Sequence, residues 1–332
     1  MIKKVINNPK DVVVETADGL ILAYHGDVEK IENSNAIKRT EIRPGKVCLL
    51  VGGGSGHEPL FAGFVGENLA DGAVSGNVFA APAPDQILAA TKALDQGKGV
   101  LYLYGNYAGD NMNFDIAAEL AESEGIATKT VRIYDDVASA PLERITDRRG
   151  IAGDLFVIKI AGGAAAKLDS LEEVYRVAAK ARDLTRSMGV ALAPGSIPET
   201  GQPTFTIGEG EIEIGMGLHG EAGVSREKMM PADELVSRMT DLILKDLPFK
   251  SGDEVCLLIN NLGATTMMEL LIVNRKVRAL MAEKQITVHD TLIGSYCTSQ
   301  EMAGFSISLL KLDDELKQYY DLPVKSFAFT KG

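Results

Sequence analysis

The segment KVCLLVGGGSGHEP, residues 46–59, carries the clearest structural pattern in the chain. Its first half is an apolar run that ends at three consecutive glycines, 52–54, which is typical of a buried parallel strand closed by a tight turn. The segment LFAGFVGENLA follows at 60–70 and is expected to form a helix. Strand, tight loop and helix in this order open a βαβ unit.

Strand-like and helix-like segments alternate at short spacing beyond this unit. The predicted strands cover 73–81, 99–105 and 127–136, and the predicted helices cover 85–96 and 114–125. Because the hydrophobic period switches repeatedly between 2 and 3.6, we expect a mostly parallel sheet flanked by helices. On the N-terminal side, the first forty residues are polar and mixed and predict an arm or an irregular cap.

The second half of the chain repeats the alternation after a change in composition. Residues 151–190 are expected to be helical, and the Pro- and Gly-rich stretch 190–205 is expected to cross between domains. Further strands are predicted at 211–217, 254–263 and 305–312, with helices at 231–247, 265–284 and 313–320. Since 332 residues exceed what one core usually serves, we expect two α/β domains. The first, 1–188, holds the mostly parallel sheet, and the second, 189–332, is a smaller α/β sandwich.

Composition and charge narrow the class of partner. The formal net charge is −12, whereas a phosphate backbone is bound by clustered basic residues, so no nucleic acid partner is expected. The three scattered cysteines, Cys48, Cys256 and Cys297, indicate buried free thiols in a reducing compartment. No uncharged apolar stretch approaches the ~20 residues that cross a bilayer. The sequence therefore predicts a cytoplasmic protein with no membrane partner.

The glycine-rich loop at 52–59 is the first candidate site. Such a loop lets a ligand approach the main chain closely. A phosphate-binding loop would need a lysine followed by Ser or Thr after its last glycine, but His57 and Glu58 stand there. The residue types suit a small polar ligand better than a nucleotide. A simple strand-to-helix turn explains the pattern equally well.

A second candidate, GNYAGDN at 105–111, also follows an apolar strand. Ligands of open α/β sheets lie outside the carboxyl ends of the strands, so this loop could converge on one crevice with 52–59. Asp110 would then be a carboxylate able to act as a general base. The pattern alone favours the alternative that Asp110 caps a helix starting near Met112.

The third candidate is His219, within GMGLHGE at 215–221. Flanking glycines make its ring accessible, a neutral imidazole can attack a ketone, and Glu221 could hold its tautomer. By pattern alone, a histidine in a surface turn is the favoured alternative. His25 and His289 receive no role. The histidines are too dispersed for a known metal-binding spacing, so no metal site is expected.

In this order and spacing, the three loops resemble the dihydroxyacetone-binding K subunit of dihydroxyacetone kinases of the phosphotransferase-system-dependent type. NNLGATTMMEL at 260–270 and GFSISLLKL at 304–312 extend the resemblance over nearly the whole chain. It implies that His219 forms a covalent hemiaminal with the carbonyl carbon of dihydroxyacetone, and that Asp110 is the base, assisted by His57. The residues implied to hydrogen-bond the ketone are Gly54, Ser55, Gly56 and His57. Many members carry a lysine where this chain has Gly105, so only the backbone of Gly105 could serve there.

The resemblance also implies partners. The nucleotide, ADP or ATP with magnesium, is expected on a separate helical L subunit that an M subunit serves, with no cofactor on this chain. A K-subunit homodimer is implied as well. A non-catalytic relative that senses dihydroxyacetone and activates a transcription regulator remains the alternative function. Glyceraldehyde or a four-carbon ketose such as erythrulose remains an alternative substrate.

Overall fold

The computed structural model describes residues 3–24, 26–32 and 34–332, so His25 lies outside the described residues. The apolar run at 48–51 forms a buried strand that continues through the three glycines to Ser55, because they pair with a neighbouring strand. The turn predicted at these glycines is therefore wrong, and the chain leaves the strand only at Gly56. This strand lies inside a six-stranded sheet with the order β1–β2–β5–β3–β6–β7. The strands of this sheet are β1 (Val28–Lys30), β2 (Ala36–Arg39), β3 (Cys48–Ser55), β5 (Gly72–Val78), β6 (Val100–Gly105) and β7 (Thr128–Ile133).

Four neighbouring strands of this first sheet, β5, β3, β6 and β7, run parallel, and β2 and β1 pair antiparallel at the other edge. Parallel neighbours need crossover connections, and helices supply most of them. The fold class, α/β with a mostly parallel first sheet flanked by helices, is therefore confirmed. A small third sheet joins β4 (Gly66–Glu67), β14 (Val324–Ser326) and β15 (Thr330–Lys331).

The second sheet has the order β10–β9–β8–β13–β11–β12 and is antiparallel except for the pair β11 and β12. Its strands are β8 (Thr185–Ala193), β9 (Glu211–Ile214), β10 (Ser225–Lys228), β11 (Glu254–Asn261), β12 (Thr287–Gly294) and β13 (Ala303–Leu312). The predicted domain boundary between 188 and 189 falls within β8, and the division into two domains stays a prediction.

Helices cover both faces of each sheet. They are α1 (Val12–Ala23), α2 (Pro84–Leu94), α3 (Ala108–Ser123), α4 (Asp154–Lys167), α5 (Leu171–Asp183), α6 (Ala232–Asp246), α7 (Met267–Glu283) and α8 (Asp314–Tyr320). The largest core cluster combines side chains from α4, α5 and α8 with side chains from both sheets. A second cluster joins α2 and α3 to the outer face of the first sheet, and a third joins α6 and α7 to the second sheet. The layers therefore alternate helix, sheet, helix, sheet, helix.

Three further predictions about helices and strands were wrong. Residues 60–70 form a short 3₁₀ helix (Ala62–Phe64) and β4 instead of one helix, because β4 pairs with the distant β14. The first forty residues are not an irregular cap, since they form α1, β1 and β2. Helix does not continue to residue 190, because β8 begins at Thr185.

The described residues settle two smaller points. All three cysteines are buried and free, as expected. None of the helices in residues 3–24, 26–32 and 34–332 is long and apolar enough to cross a membrane.

Candidate active site

A cavity opens where the loops after β3 and β6 meet a loop of the second sheet. The cavity is small, and residues from all three loops line it. The two loops meet because the carboxyl ends of parallel strands lie at one edge of a sheet. The polar and glycine positions that matter most in its wall are Gly54, His57, Gly105, Asp110, Asp154 and His219.

His57 is buried in the loop that follows β3. Its Nδ1 lies 2.8 Å from the carbonyl oxygen of Thr298, and its Nε2 lies 2.9 Å from Nε2 of His219. Since a carbonyl oxygen can only accept, Nδ1 of His57 carries the hydrogen on that side. Burial, and then the neighbouring His219 ring, lowers the pKa of His57 to about 3, so the ring is neutral and its Nε2 offers a lone pair.

His219 is held by the carboxylate of Glu221. One oxygen accepts from the backbone N–H of His219 at 2.9 Å, and the other lies 3.0 Å from Nδ1 of its ring. Burial would raise the pKa of Glu221, but hydrogen bonding and charge interaction with His219 outweigh it and lower the pKa to about 2. Nη1 of Arg149 lies 3.9 Å from a carboxylate oxygen of Glu221, and its positive charge lowers the pKa of Glu221 further. The carboxylate therefore stays ionised and fixes the direction of the ring.

These contacts also fix the hydrogens of the two rings. Nδ1 of His219 donates to the Glu221 carboxylate, which can only accept when ionised. Because Nδ1 of each ring binds an acceptor on its far side, the two Nε2 atoms face each other at 2.9 Å. His219 therefore presents its Nε2 at the cavity wall.

Asp110 does not cap a helix, contrary to what its pattern alone favours. The helix α3 begins at Ala108 with Tyr107 at the N-cap, which places Asp110 in the first turn. The side chain is only 8% exposed, and its Oδ1 has no hydrogen-bond partner. Burial raises the pKa of Asp110 to about 6, and a hydrogen bond from its own backbone N–H only partly opposes this. A carboxyl group with such a pKa can exchange a proton near neutral pH.

The glycine-rich loop contributes unevenly to the cavity. Gly54 lines it, whereas Ser55 and Gly56 are not among its lining residues. The hydroxyl of Ser55 donates to the carbonyl oxygen of Gly76 at 2.8 Å. The N–H of Gly56 donates to the carboxylate of Glu58, at 3.0 and 3.1 Å to its two oxygens. The loop thus uses one of its own amides internally, where a phosphate-binding loop would leave it free.

Sequence reasoning missed two participants. Asp154 begins α4 and lines the cavity, but an acidic residue at a helix start is the ordinary signal of a capping or dipole contact. Thr298 contributes its backbone oxygen, which every residue type has, so the sequence gives no signal for it. Among the described residues, no group of three or more His, Cys, Asp or Glu side chains is arranged to hold a metal.

Fold and site together define an α/β protein with a small cavity whose wall carries two imidazoles in contact and two carboxyl groups with an unpaired oxygen. The chain belongs to the Dak1 domain family, whose model matches residues 18–328. The family predicted from the loop motifs is therefore confirmed.

Individual relatives give the same assignment. The chain is 45% identical to the dihydroxyacetone-binding subunit of PTS-dependent dihydroxyacetone kinase 2 from Listeria innocua, covering 97% of each chain. The solved dihydroxyacetone kinase of C. freundii matches with a TM-score of 0.91 and 32% identity, over 99% of this chain and 60% of that one. The same kinase has been solved with AMP-PNP and Mg²⁺. The dihydroxyacetone kinase operon co-activator Dha-DhaQ matches with a TM-score of 0.90 and 28% identity, over 96% of this chain and 98% of that one.

Proposed function

We propose that this chain is the dihydroxyacetone-binding subunit of a dihydroxyacetone kinase. It holds the ketone on His219 and presents a hydroxyl group for phosphoryl transfer from a nucleotide on a separate L subunit, which gives dihydroxyacetone phosphate. The observation that carries the proposal is the convergence of His57, Asp110 and His219 on one small cavity, although they come from three distant loops.

The fixed orientation of the His219 ring supports covalent capture. As Nε2 of His219 bonds to the carbonyl carbon, the π electrons of the carbonyl move to its oxygen. That oxygen takes up a proton from solution and becomes the hemiaminal hydroxyl. The His219 ring, which keeps its Nδ1 hydrogen, then carries a positive charge, and ionised Glu221 balances this charge. A reversible bond of this kind selects ketones and aldehydes over glycerol, which has no electrophilic carbon.

Asp110 is suited to activate the substrate hydroxyl. Its unpartnered Oδ1 can accept the hydroxyl proton while the hydroxyl oxygen bonds to phosphorus and the bond to the leaving nucleoside diphosphate breaks. Positioning of the two reactants supplies much of the rate of such a transfer. The fixed ketone and the base would hold one reactant in place before the donor arrives.

The nucleotide belongs on another chain in this proposal. None of the described residues that line the cavity is a lysine or arginine. Within the glycine-rich loop, Glu58 already occupies the amide of Gly56 and would repel a phosphate. ADP or ATP would be held on an L subunit served by an M subunit, and the magnesium bound with the nucleotide would supply the missing positive charge. A homodimer of this chain is part of the same proposal.

A sensor that activates a transcription regulator is the second candidate, because the Dha-DhaQ co-activator shares the fold at a TM-score of 0.90. Both functions need the ketone site. One reaction mixture separates them: the purified chain, L and M subunits, the general phosphotransferase proteins, phosphoenolpyruvate and dihydroxyacetone. Formation of dihydroxyacetone phosphate that depends on this chain supports the kinase. Absence of any phosphorylated triose in the complete mixture contradicts it.

A further inference from the structure

Asp154 presents an unsatisfied carboxyl group to the cavity. It is the first residue of α4, is only 2% exposed and lines the cavity wall. Its Oδ1 is buried and has no hydrogen-bond partner. A buried polar atom without a partner costs free energy, and in native proteins such atoms are rare and often functional.

The surrounding backbone does not satisfy this group because another carboxylate takes the nearby amides. Asp135 accepts from the backbone N–H of Ile151 at 2.8 Å and from that of Gly153 at 2.9 Å. These amides lie at the start of α4, where Asp154 would otherwise find donors. The absence of a side chain at Gly105 leaves space on another side, since a Cβ there would lie 3.4 Å from Oδ2 of Asp154.

The surroundings of Asp154 favour the protonated form of its carboxyl group. Burial, together with the carboxyl groups of Asp135 and Asp110, raises the pKa of Asp154 well above its usual range. No lysine or arginine lies among the described residues of the cavity wall to oppose this. A neutral carboxyl group has both an O–H donor and a carbonyl acceptor. A hydroxyl group, which also donates and accepts, is its natural complement.

Burial orders the carboxyl groups along the depth of the cavity. Asp110 is 8% exposed and follows the exposed residues Ala108 and Gly109, so it is the more accessible of the two. Asp154 is 2% exposed and begins a helix whose first twelve residues are all buried, so we take its side as the inner one. A ketone fixed on His219 has two arms. Only the outer arm, beside Asp110, can meet a phosphoryl donor that another chain brings.

We propose that Asp154 is a specificity-determining residue that hydrogen-bonds the hydroxyl group on the inner arm of the ketone, the arm that is not phosphorylated. The inference rests on the proposed function and narrows its substrate class to ketones with a hydroxyl group on both sides of the carbonyl. Hydroxyacetone, which has one hydroxyl and one methyl group, places its hydroxyl inward to satisfy Asp154. Its methyl group then faces Asp110, and the bound molecule cannot be phosphorylated.

The test compares kcat/KM for dihydroxyacetone and for hydroxyacetone in the mixture with L and M subunits. Asp154→Leu replaces the carboxyl group by an apolar group of similar size. The methyl group of hydroxyacetone should then be able to occupy the inner position, which leaves its hydroxyl group beside Asp110. The preference for dihydroxyacetone should then fall by roughly 10- to 100-fold, the usual effect of one unsatisfied buried polar group. Asp154→Asn keeps a donor and an acceptor and should retain most of the preference. If Asp154→Leu does not fold, Asp154→Ala serves the same comparison.

A matched control is Thr240→Val in α6, which removes another buried, unpartnered oxygen outside the cavity. It should leave the preference unchanged, so a change in the Leu variant cannot be ascribed to packing alone. An unchanged preference in both Asp154→Leu and Asp154→Ala would overturn the role of Asp154 while leaving the kinase proposal intact. No turnover of dihydroxyacetone by the unmodified chain would instead overturn the proposed function, and this inference with it.

Discussion

Nε2 of His57 and Nε2 of His219 lie 2.9 Å apart, although 162 positions separate the two residues in the sequence. The contact joins the loop after β3 to a loop of the second sheet across the cavity. Each ring is oriented from its far side, His57 by the carbonyl oxygen of Thr298 and His219 by Glu221. The two rings thus form one unit, and a change at either outer partner should alter the reactivity of the pair.

Glu221→Gln should slow capture of dihydroxyacetone. The substitution removes the negative charge that balances His219 while preserving side-chain shape. A hydrogen bond to a charged group contributes about 1.5–3 kcal/mol, so adduct formation should weaken roughly 10- to 100-fold. Native intact-mass spectrometry of the chain over a range of dihydroxyacetone concentrations measures the adduct. Glu209→Gln, at an exposed position of the same region, is the control and should behave like the unmodified chain.

His219→Ala should abolish the covalent adduct entirely, since the attacking nitrogen is gone. The same experiment on His289→Ala should give the full adduct, because His289 bonds to Glu254 and Asp321 instead of lining the cavity. A mass increase that persists in His219→Ala would place the covalent bond on another residue. Some turnover can survive the loss of the adduct, because the cavity still holds the ketone.

Asp110→Asn should reduce turnover by about 10²- to 10⁴-fold, the usual contribution of a general base, with the adduct unaffected. Asp115→Asn provides a control on the same helix, because Asp115 is exposed and pairs with Arg132. In the unmodified chain, the rate of phosphoryl transfer should rise with pH through about 6, as Asp110 ionises. His57 stays neutral and Glu221 stays ionised across that range. A rate that is flat between pH 5 and 8 would argue against Asp110 as the base.

The sequence predicts the cavity better than it predicts the elements around it. Glycines that end apolar strands mark the loops after β3 and β6, and the rule for parallel sheets brings those loops together. The segment 60–70 was misassigned because its strand partner, β14, lies over 250 positions away and no local pattern reveals it. Short edge strands such as β1, with the sequence VEK, lack apolar alternation and are equally invisible.

Buried polar residues explain two further errors, the misplaced start of β8 and the omission of Asp154. The strand β8 starts with Thr185, Arg186 and Ser187, which resemble the polar end of a helix, yet all three are buried. Arg186 is stabilised there by Asp246 of α6, a partner that only the tertiary structure supplies. Asp154 was missed for the same reason, since its role depends on which neighbours leave it unpaired.

The buried carboxyl group of Asp110 should lower the free energy of unfolding near neutral pH. Its folded-state pKa of about 6 lies above the ordinary value of 3.8, so the folded chain binds more protons than the unfolded chain between these pH values. Stability from this group is therefore present below pH 3.8 and is lost as pH rises through 6. Asp110→Asn should gain stability over the unmodified chain between pH 4 and pH 7.5, by at most about 3 kcal/mol. Urea unfolding of both chains at the two pH values measures this gain. The same difference in unfolding free energy at pH 4 and at pH 7.5 would contradict it.

The inner wall of the cavity should tolerate no side chain at Gly150. A Cβ there would overlap Cα of Gly105 and lie 2.7 Å from the carbonyl oxygen of Ile133, and neither backbone atom can move freely. Gly150→Ala should therefore destabilise the chain by roughly 1–3 kcal/mol and weaken ketone capture as well. Gly19→Ala is the matched control, because its Cβ meets nothing within 4 Å and Gly19 lies inside α1. There, alanine should stabilise by up to about 1 kcal/mol. Urea unfolding and native intact-mass spectrometry with dihydroxyacetone, carried out on both variants, separate a steric effect at the cavity wall from a general effect of replacing glycine.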